Sequence, residues 1–283
     1  MFARNKTVRD RRLHVPVSIK PRRLHCTGIV GLSVTLKNAP YGIFRSALAA
    51  ALCCACLPGL YAWADNSNDD GLRPFAAEYA LYAKNTKAAR VTRSLTRLDD
   101  GAYEYRSETK TVGLISLFKQ LHVVESSRLK PEDRMLKPLS YSYNRTGHRK
   151  KRDVFIDFNH DTGKIKNTIN GDFWHLPLAP GVMDKLLYQL AIMHDLQHGR
   201  TPAAYQIADG GGIKTYHFEK LGEEVVETPL GSFNTVKMIR HRPDSDRKSI
   251  FWCAPELDYL QVKVEHTEKN GSTTVAVIKS LRW

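Results

Sequence analysis

From residue 74 onward, apolar and polar positions alternate with a period of two, in short runs separated by turn residues. Phe75, Ala77, Tyr79 and Leu81 share one face. Tyr103 and Tyr105 alternate with Glu104 and Arg106, and Val154, Ile156 and Phe158 repeat the pattern. Such runs predict half-buried strands. Asp99-Asp100-Gly101, Asn170-Gly171, Asp209-Gly-Gly-Gly212 and Asn270-Gly271 stand between runs and predict hairpins, because Gly and Asn reach the positive φ that tight turns need. The expected fold is mainly β, an antiparallel curved sheet or open β-barrel of about twelve strands.

One stretch breaks the alternation. Between Pro180 and Gly199, Val182, Met183, Leu186, Leu187, Leu190 and Met193 recur at helical spacings. This predicts one long helix over 181–198 with an apolar stripe against the sheet, Asp184 in its first turn and His194 and His198 in its last.

Charge divides the chain into unequal parts. The formal net charge is +14, but residues 1–45 hold ten Lys and Arg against one acid, Asp10, so 33 basic residues face 28 acidic ones in the rest. Ser46 to Ala64 follows as an uncharged segment ending in Ala62-Trp63-Ala64. A basic n-region, a short apolar core and a small-x-small site predict a signal peptide, cleavage after Ala64 and a periplasmic protein. The alternative is an inner-membrane anchor formed by residues 46–64. The expected organisation is then 1–64 basic n-region and signal, 65–73 flexible leader, and 74–283 one β-rich domain. Nucleic acid is excluded as a partner by that compartment and by the mild charge of the domain.

Catalytic chemistry is thin. His194-Asp195-Leu-Gln-His198 places two histidines on one helix face and resembles a zinc-binding H-E-x-x-H, with Asp in place of the Glu base and no third ligand. Its last-turn position also fits helix capping. Cys253 is the one cysteine after residue 64 and has no His or acid beside it. No G-x-S-x-G occurs, and the glycines 210–212 join two strands rather than a strand and a helix. The expectation is a non-enzyme without a cofactor.

Binding chemistry is better supplied. Tyr141, Tyr143, Trp174, Trp252 and Tyr259 stand near strand ends, and with Leu186 and Leu190 of the helix they are candidates to line a cavity for a lipid or other amphiphile. Arg145, His148, Arg149, Lys150, Lys151 and Arg152 form a dense basic hairpin, a candidate contact for an anionic partner or membrane surface.

The order of several motifs is similar to a bacterial exported family, domain of unknown function 3108. They are Tyr141-Ser-Tyr143 with Arg145, Asp184-Lys-Leu-Leu-Tyr-Gln-Leu190, Tyr216-His-Phe218, Thr228-Pro-Leu-Gly-Ser-Phe233 with Lys237, and Trp252-Cys-Ala-Pro-Glu-Leu257 before Gln261-Val-Lys263. The resemblance implies an envelope protein on a curved antiparallel sheet, similar to lipoprotein carriers, and brings no catalytic residues. The leading expectation is a binding or carrier module for an amphiphile. The alternatives are a structural or assembly partner in the envelope and a metal hydrolase using His194 and His198.

Overall fold

Fifteen strands form one continuous sheet in a computed structural model that describes residues 72–113, 116, 120–132, 134–147 and 151–283. The strands are β1 (Phe75–Ala83), β2 (Thr86–Arg97), β3 (Tyr103–Thr111), β4 (His122–Glu132), β5 (Met135–Thr146), β6 (Arg152–Asn159), β7 (Lys164–Ile169) and β8 (Asp172–Pro177). After them come β9 (Val182–Asp184), helix α1 (Leu187–Gln197), β10 (Ala204–Asp209), β11 (Gly212–Thr228), β12 (Gly231–Arg242), β13 (Ser245–Ala254), β14 (Leu260–Thr267) and β15 (Thr273–Arg282). The signal segment and the leader expected over 1–71 lie outside the described residues, except Leu72 and Arg73 at the leader's end. The described residues belong to one compact unit.

The sheet runs β8 to β1, then β15 down to β9, so each strand lies beside its neighbour in sequence except where β1 joins β15 and where β8 and β9 remain edges. It is curved and open rather than closed into a barrel. Tight turns explain the meander: Asn170 and Gly171 take φ of 52° and 101°, the conformation of a two-residue hairpin. Register shifts at Glu78/Tyr79, Arg128/Leu129, Lys220/Gly222, Arg240/Arg242 and Trp252/Cys253 add residues to single strands and bend the sheet.

The strand count exceeds the expected twelve, and the helix is shorter than expected. Val182–Asp184 is a strand, and α1 begins only at Leu187. The apolar spacing read as one helix therefore mixes a buried strand with a buried helix. β9 pairs with β10 in parallel, the one parallel pair in the sheet, and a parallel pair requires a crossover. Helix α1 is that crossover.

Eight of the eleven residues of α1 are buried, on all sides of the helix, so it is a core helix rather than one with a single apolar stripe. It packs against the concave face. Tyr188 meets Tyr216, Phe218 and Phe251 at ring-centroid distances of 5.4, 5.9 and 6.2 Å. Gln261 of β14 donates to the Gln189 carbonyl at 2.7 Å, and Ser127 of β4 donates to Asp184 at 2.6 Å. Asp184 precedes the helix, and its other oxygen accepts from the Leu186 and Leu187 amides at 2.8 Å each. Full burial of Leu186, Leu187, Leu190 and Ile192 contributes roughly 1.5–3 kcal/mol apiece.

The two lips of the sheet touch without sharing a ladder. Trp174 on β8 donates from Nε1 to the Gly211 carbonyl at 3.0 Å, across to the β10–β11 turn. Gly211 has φ of 94°, and a Cβ there would lie 2.5 Å from Cζ2 of Trp174, so the turn approaches the indole at a distance only glycine permits.

Candidate functional site

Alternation along β2 turns Val91, Arg93 and Leu95 to the concave side, between exposed Arg90, Thr92 and Thr96. Cross-strand register extends the row from Arg93 to Ser107, Glu125 and Tyr143 on β3, β4 and β5. On the opposite wall a second row runs from Arg240 through Ser249 to His266 on β12, β13 and β14. Residues at the start of the helix, Lys185, Tyr188 and Gln189, reach between the rows. Together they enclose a cavity of about 380 Å3, lined largely by polar groups.

The cavity's carboxylates all have partners. Glu125 accepts from the Tyr141 hydroxyl at 2.8 Å. Asp209 accepts from Lys214 Nζ at 3.0 Å and from the Tyr216 hydroxyl at 3.2 Å. Burial opposes its charge, but Lys214, Lys185 and Tyr216 outweigh that and hold its carboxyl below the usual range. Glu268 pairs with Arg247 at 2.7 Å and with His266 at 3.3 Å. Burial, aided by the Arg240 charge, pushes the His266 imidazole down, so it is neutral at pH 7.

Three cations stand apart. Arg93 lies over the Tyr79 ring at 5.2 Å, Lys185 over Tyr143 at 4.8 Å and Arg240 over Tyr216 at 4.8 Å. None of the described carboxylates is within 4.0 Å of any of them. Nε and Nη1 of Arg93 and Nε of Arg240 are shielded from solvent and have no hydrogen-bond partner among the described residues. The Tyr79 hydroxyl is likewise shielded and without a partner among the described residues, and the Tyr105 hydroxyl lies against the Arg93 guanidinium. Burial pushes both tyrosines up, so each keeps its proton and remains a donor.

Ser249, His266 and Glu268 line the same cavity in the order of a catalytic triad. Ser249 Oγ is 2.9 Å from His266 Nδ1, and His266 Nε2 is 3.3 Å from Glu268. Acyl transfer also needs free N–H groups to hold the oxyanion. Ser249 sits on β13 between β12 and β14, where the backbone amides serve the two ladders. Glu268 is shared with Arg247. The triplet forms a hydrogen-bonded part of the cavity wall.

Of the seven residues singled out in the sequence for a cavity, none lines this one, and two stand behind residues that do. Tyr141 is buried and holds Glu125, and Tyr143 lies under Lys185. Leu186 and Leu190 are core residues. Trp174 is at the lip. Trp252 faces the convex side, opposite Phe251, with Lys237 and Lys263 over its ring at 5.1 and 4.2 Å. Tyr259 lines a separate cleft of about 480 Å3 with Leu196, Arg200 and Pro255. These seven residues do not share one mouth. In the basic hairpin, Arg145 faces Arg152 across the β5–β6 ladder and Lys151 is exposed, while His148, Arg149 and Lys150 lie outside the described residues.

The helix-end histidines are engaged in structure. His198 donates from Nδ1 to the His194 carbonyl at 2.7 Å, and Asp195 accepts from the Tyr205 hydroxyl at 2.6 Å and from Arg200 Nε at 3.0 Å. Among the described residues no group of three His, Cys, Asp or Glu side chains is placed to hold a metal. Cys253 is buried, and burial pushes its thiol up to about 12. Sequence reasoning missed Arg93, Lys185 and Arg240. The signal for two of them was parity: Arg93 shares a face with Val91 and Leu95, and Arg240 shares one with Met238.

The fold and cavity define a curved, antiparallel, open-barrel-like protein with a polar concave pocket. The chain belongs to the family of proteins of unknown function DUF3108, whose family model matches residues 78–278. No curated protein matches it. Among solved structures, it is similar in fold to a beta-barrel-like protein of the DUF1849 family from Brucella abortus. That pair has 9% identity and a TM-score of 0.52, over 75% of this chain and 98% of that one. MucA/MucB of Pseudomonas aeruginosa aligns over 75% and 94% of the two chains, at 11% identity and a TM-score of 0.16, too low to carry an argument.

Proposed function

We propose that this protein is an exported, non-enzymatic binding or carrier module of the cell envelope, which seats the polar end of an amphiphile in the concave cavity. The observation that carries this reading is a solvent-reached cavity of about 380 Å3 on the concave side, lined by three cations, Arg93, Lys185 and Arg240, that no described carboxylate pairs. Buried charges are ordinarily paired, so cations left over beside a cavity fit a ligand. The basic n-region and the Ser46–Ala64 segment support export. The apolar space expected between sheet and helix is filled by Leu186, Leu187, Leu190 and Ile192, which leaves the polar end as the part recognised inside.

The test is native mass spectrometry of the protein recovered from the periplasm, followed by denaturing analysis of anything released. We expect a chain beginning at Asp65 with a stoichiometric small-molecule adduct. A clean apo mass across several preparations would overturn the carrier reading. So would a covalent fluorophosphonate adduct on Ser249, which would make the Ser249–His266–Glu268 triplet a catalyst.

A further inference from the structure

We infer that the cavity recognises an anionic, phosphate-bearing group, held jointly by Arg93, Lys185 and Arg240. This rests on the carrier reading above and adds the chemical class of the ligand. Five cationic side chains but three carboxylates line the cavity, and each carboxylate is already occupied by a lysine, arginine, histidine or tyrosine. Glu125 is held by a neutral tyrosine and so still offsets one charge, which leaves a net surplus of two spread over Arg93, Lys185 and Arg240, the three cations with no carboxylate in contact.

All three lie over tyrosine rings, the two arginines by their guanidinium and Lys185 by its ammonium. Stacking uses the face of a guanidinium and leaves its in-plane N–H groups free to donate. The N–H groups of these side chains that reach the cavity have no carboxylate to donate to, and an anion offering several oxygens accepts from all three together.

The placement of the three distinguishes phosphate from carboxylate. Arg93 comes from β2, Arg240 from β12 on the facing wall, and Lys185 from the junction of β9 and α1 between them. A carboxylate offers two oxygens in one plane and a single charge. A phosphate ester offers oxygens in three directions and a charge approaching two, which suits cations converging from three sides. The neighbouring hydroxyls of Tyr79 and Tyr105 stay protonated and bring no negative charge to compete with the anion. The phosphate has two sources, a lipid headgroup or a free phosphorylated metabolite.

Isothermal titration of the periplasmically recovered protein separates the outcomes. The probes are glycerol 3-phosphate, succinate, and vesicles of phosphatidylcholine with and without phosphatidic acid. We expect binding of glycerol 3-phosphate or of phosphatidic acid vesicles, weakening as salt rises and falling roughly tenfold in Lys185→Gln and in Arg240→Gln, about one charge-assisted hydrogen bond each. Lys185 is at a junction rather than in the sheet, so its variant tests the idea even where Arg240→Gln fails to fold. Binding of phosphatidic acid vesicles alone assigns the headgroup as source, and binding of glycerol 3-phosphate assigns a free ester.

Succinate binding as tightly as glycerol 3-phosphate, or phosphate binding unchanged in both variants, overturns the assignment. A neutral adduct in the native mass spectrum with no phosphate probe bound removes the anion and leaves the carrier. No adduct and no bound probe removes both.

Discussion

Asp184 is the residue on which the helix entry turns. Its carboxyl joins β4 to the start of α1 through Ser127 and the Leu186 and Leu187 amides. Burial raises its pKa from 3.8 to about 6, against the lowering effect of those three hydrogen bonds. A carboxyl whose folded pKa is raised stabilises the fold most when protonated. Its contribution is complete below about pH 4 and is lost as pH rises through about 6, a difference on the order of 3 kcal/mol. Asp184→Asn keeps an acceptor for the amides and stays neutral. Urea denaturation should therefore show the variant gaining on the parent as pH rises from 4.5 to 7.5. A stability difference that does not change over that range would show that the carboxyl is not desolvated as described.

Cys253 gives a second expectation at this scale. A thiol that is 0% exposed and pushed up to about 12 has almost no thiolate at pH 8. Ellman's reagent should label it only through unfolding, at a rate that rises with denaturant. Prompt labelling of the native protein would contradict its burial.

At the scale of elements, the hairpins were legible in the sequence because turn chemistry is local. Asn170-Gly171 and Asn270-Gly271 each close a strand pair where two runs of alternation meet. The boundary between β9 and α1 was not legible. Val182, Met183, Leu186, Leu187 and Leu190 are buried whichever period is applied, and periodicity distinguishes strand from helix only when one face is polar. The cavity was half legible. Parity marks Arg93 and Arg240 as inward, but only the pairing of β1 with β15 joins the two half-sheets that carry them.

The lip contact is another consequence of long-range placement, and it is testable as a pair. Gly211→Ala should cost about 2 kcal/mol or more, from strain at positive φ and from the collision with Trp174. The collision part should vanish when Trp174 is already alanine. A double-mutant cycle therefore expects Gly211→Ala to be milder in the Trp174→Ala background. An equal cost in both backgrounds would place the penalty in the turn backbone alone and remove the clasp.

For the whole molecule, the governing fact is that the sheet is a meander in which nearly every strand pairs with its sequence neighbour. The join of β1 to β15 is the pairing that bridges the two ends of the described domain. There Ala76 faces Arg282, and Arg73 lies 4.2 Å over the Trp283 ring, so the start and end of the domain are side by side. If that join is an ordinary ladder, it should make no difference which hairpin carries the chain break. A circular permutant linking Trp283 to the start of the domain through a short Gly-Ser linker, opened in the exposed Asn270-Gly271 turn, leaves every strand pair available. It should fold cooperatively, melt within about 5–10 °C of the parent and bind the same ligand, because Arg93, Lys185 and Arg240 return to the same walls. Failure to fold would mean that the β14–β15 connection must be covalent for the two halves to meet. Folding with loss of binding would mean that the walls meet but no longer hold the three cations at the spacing one ligand can bridge.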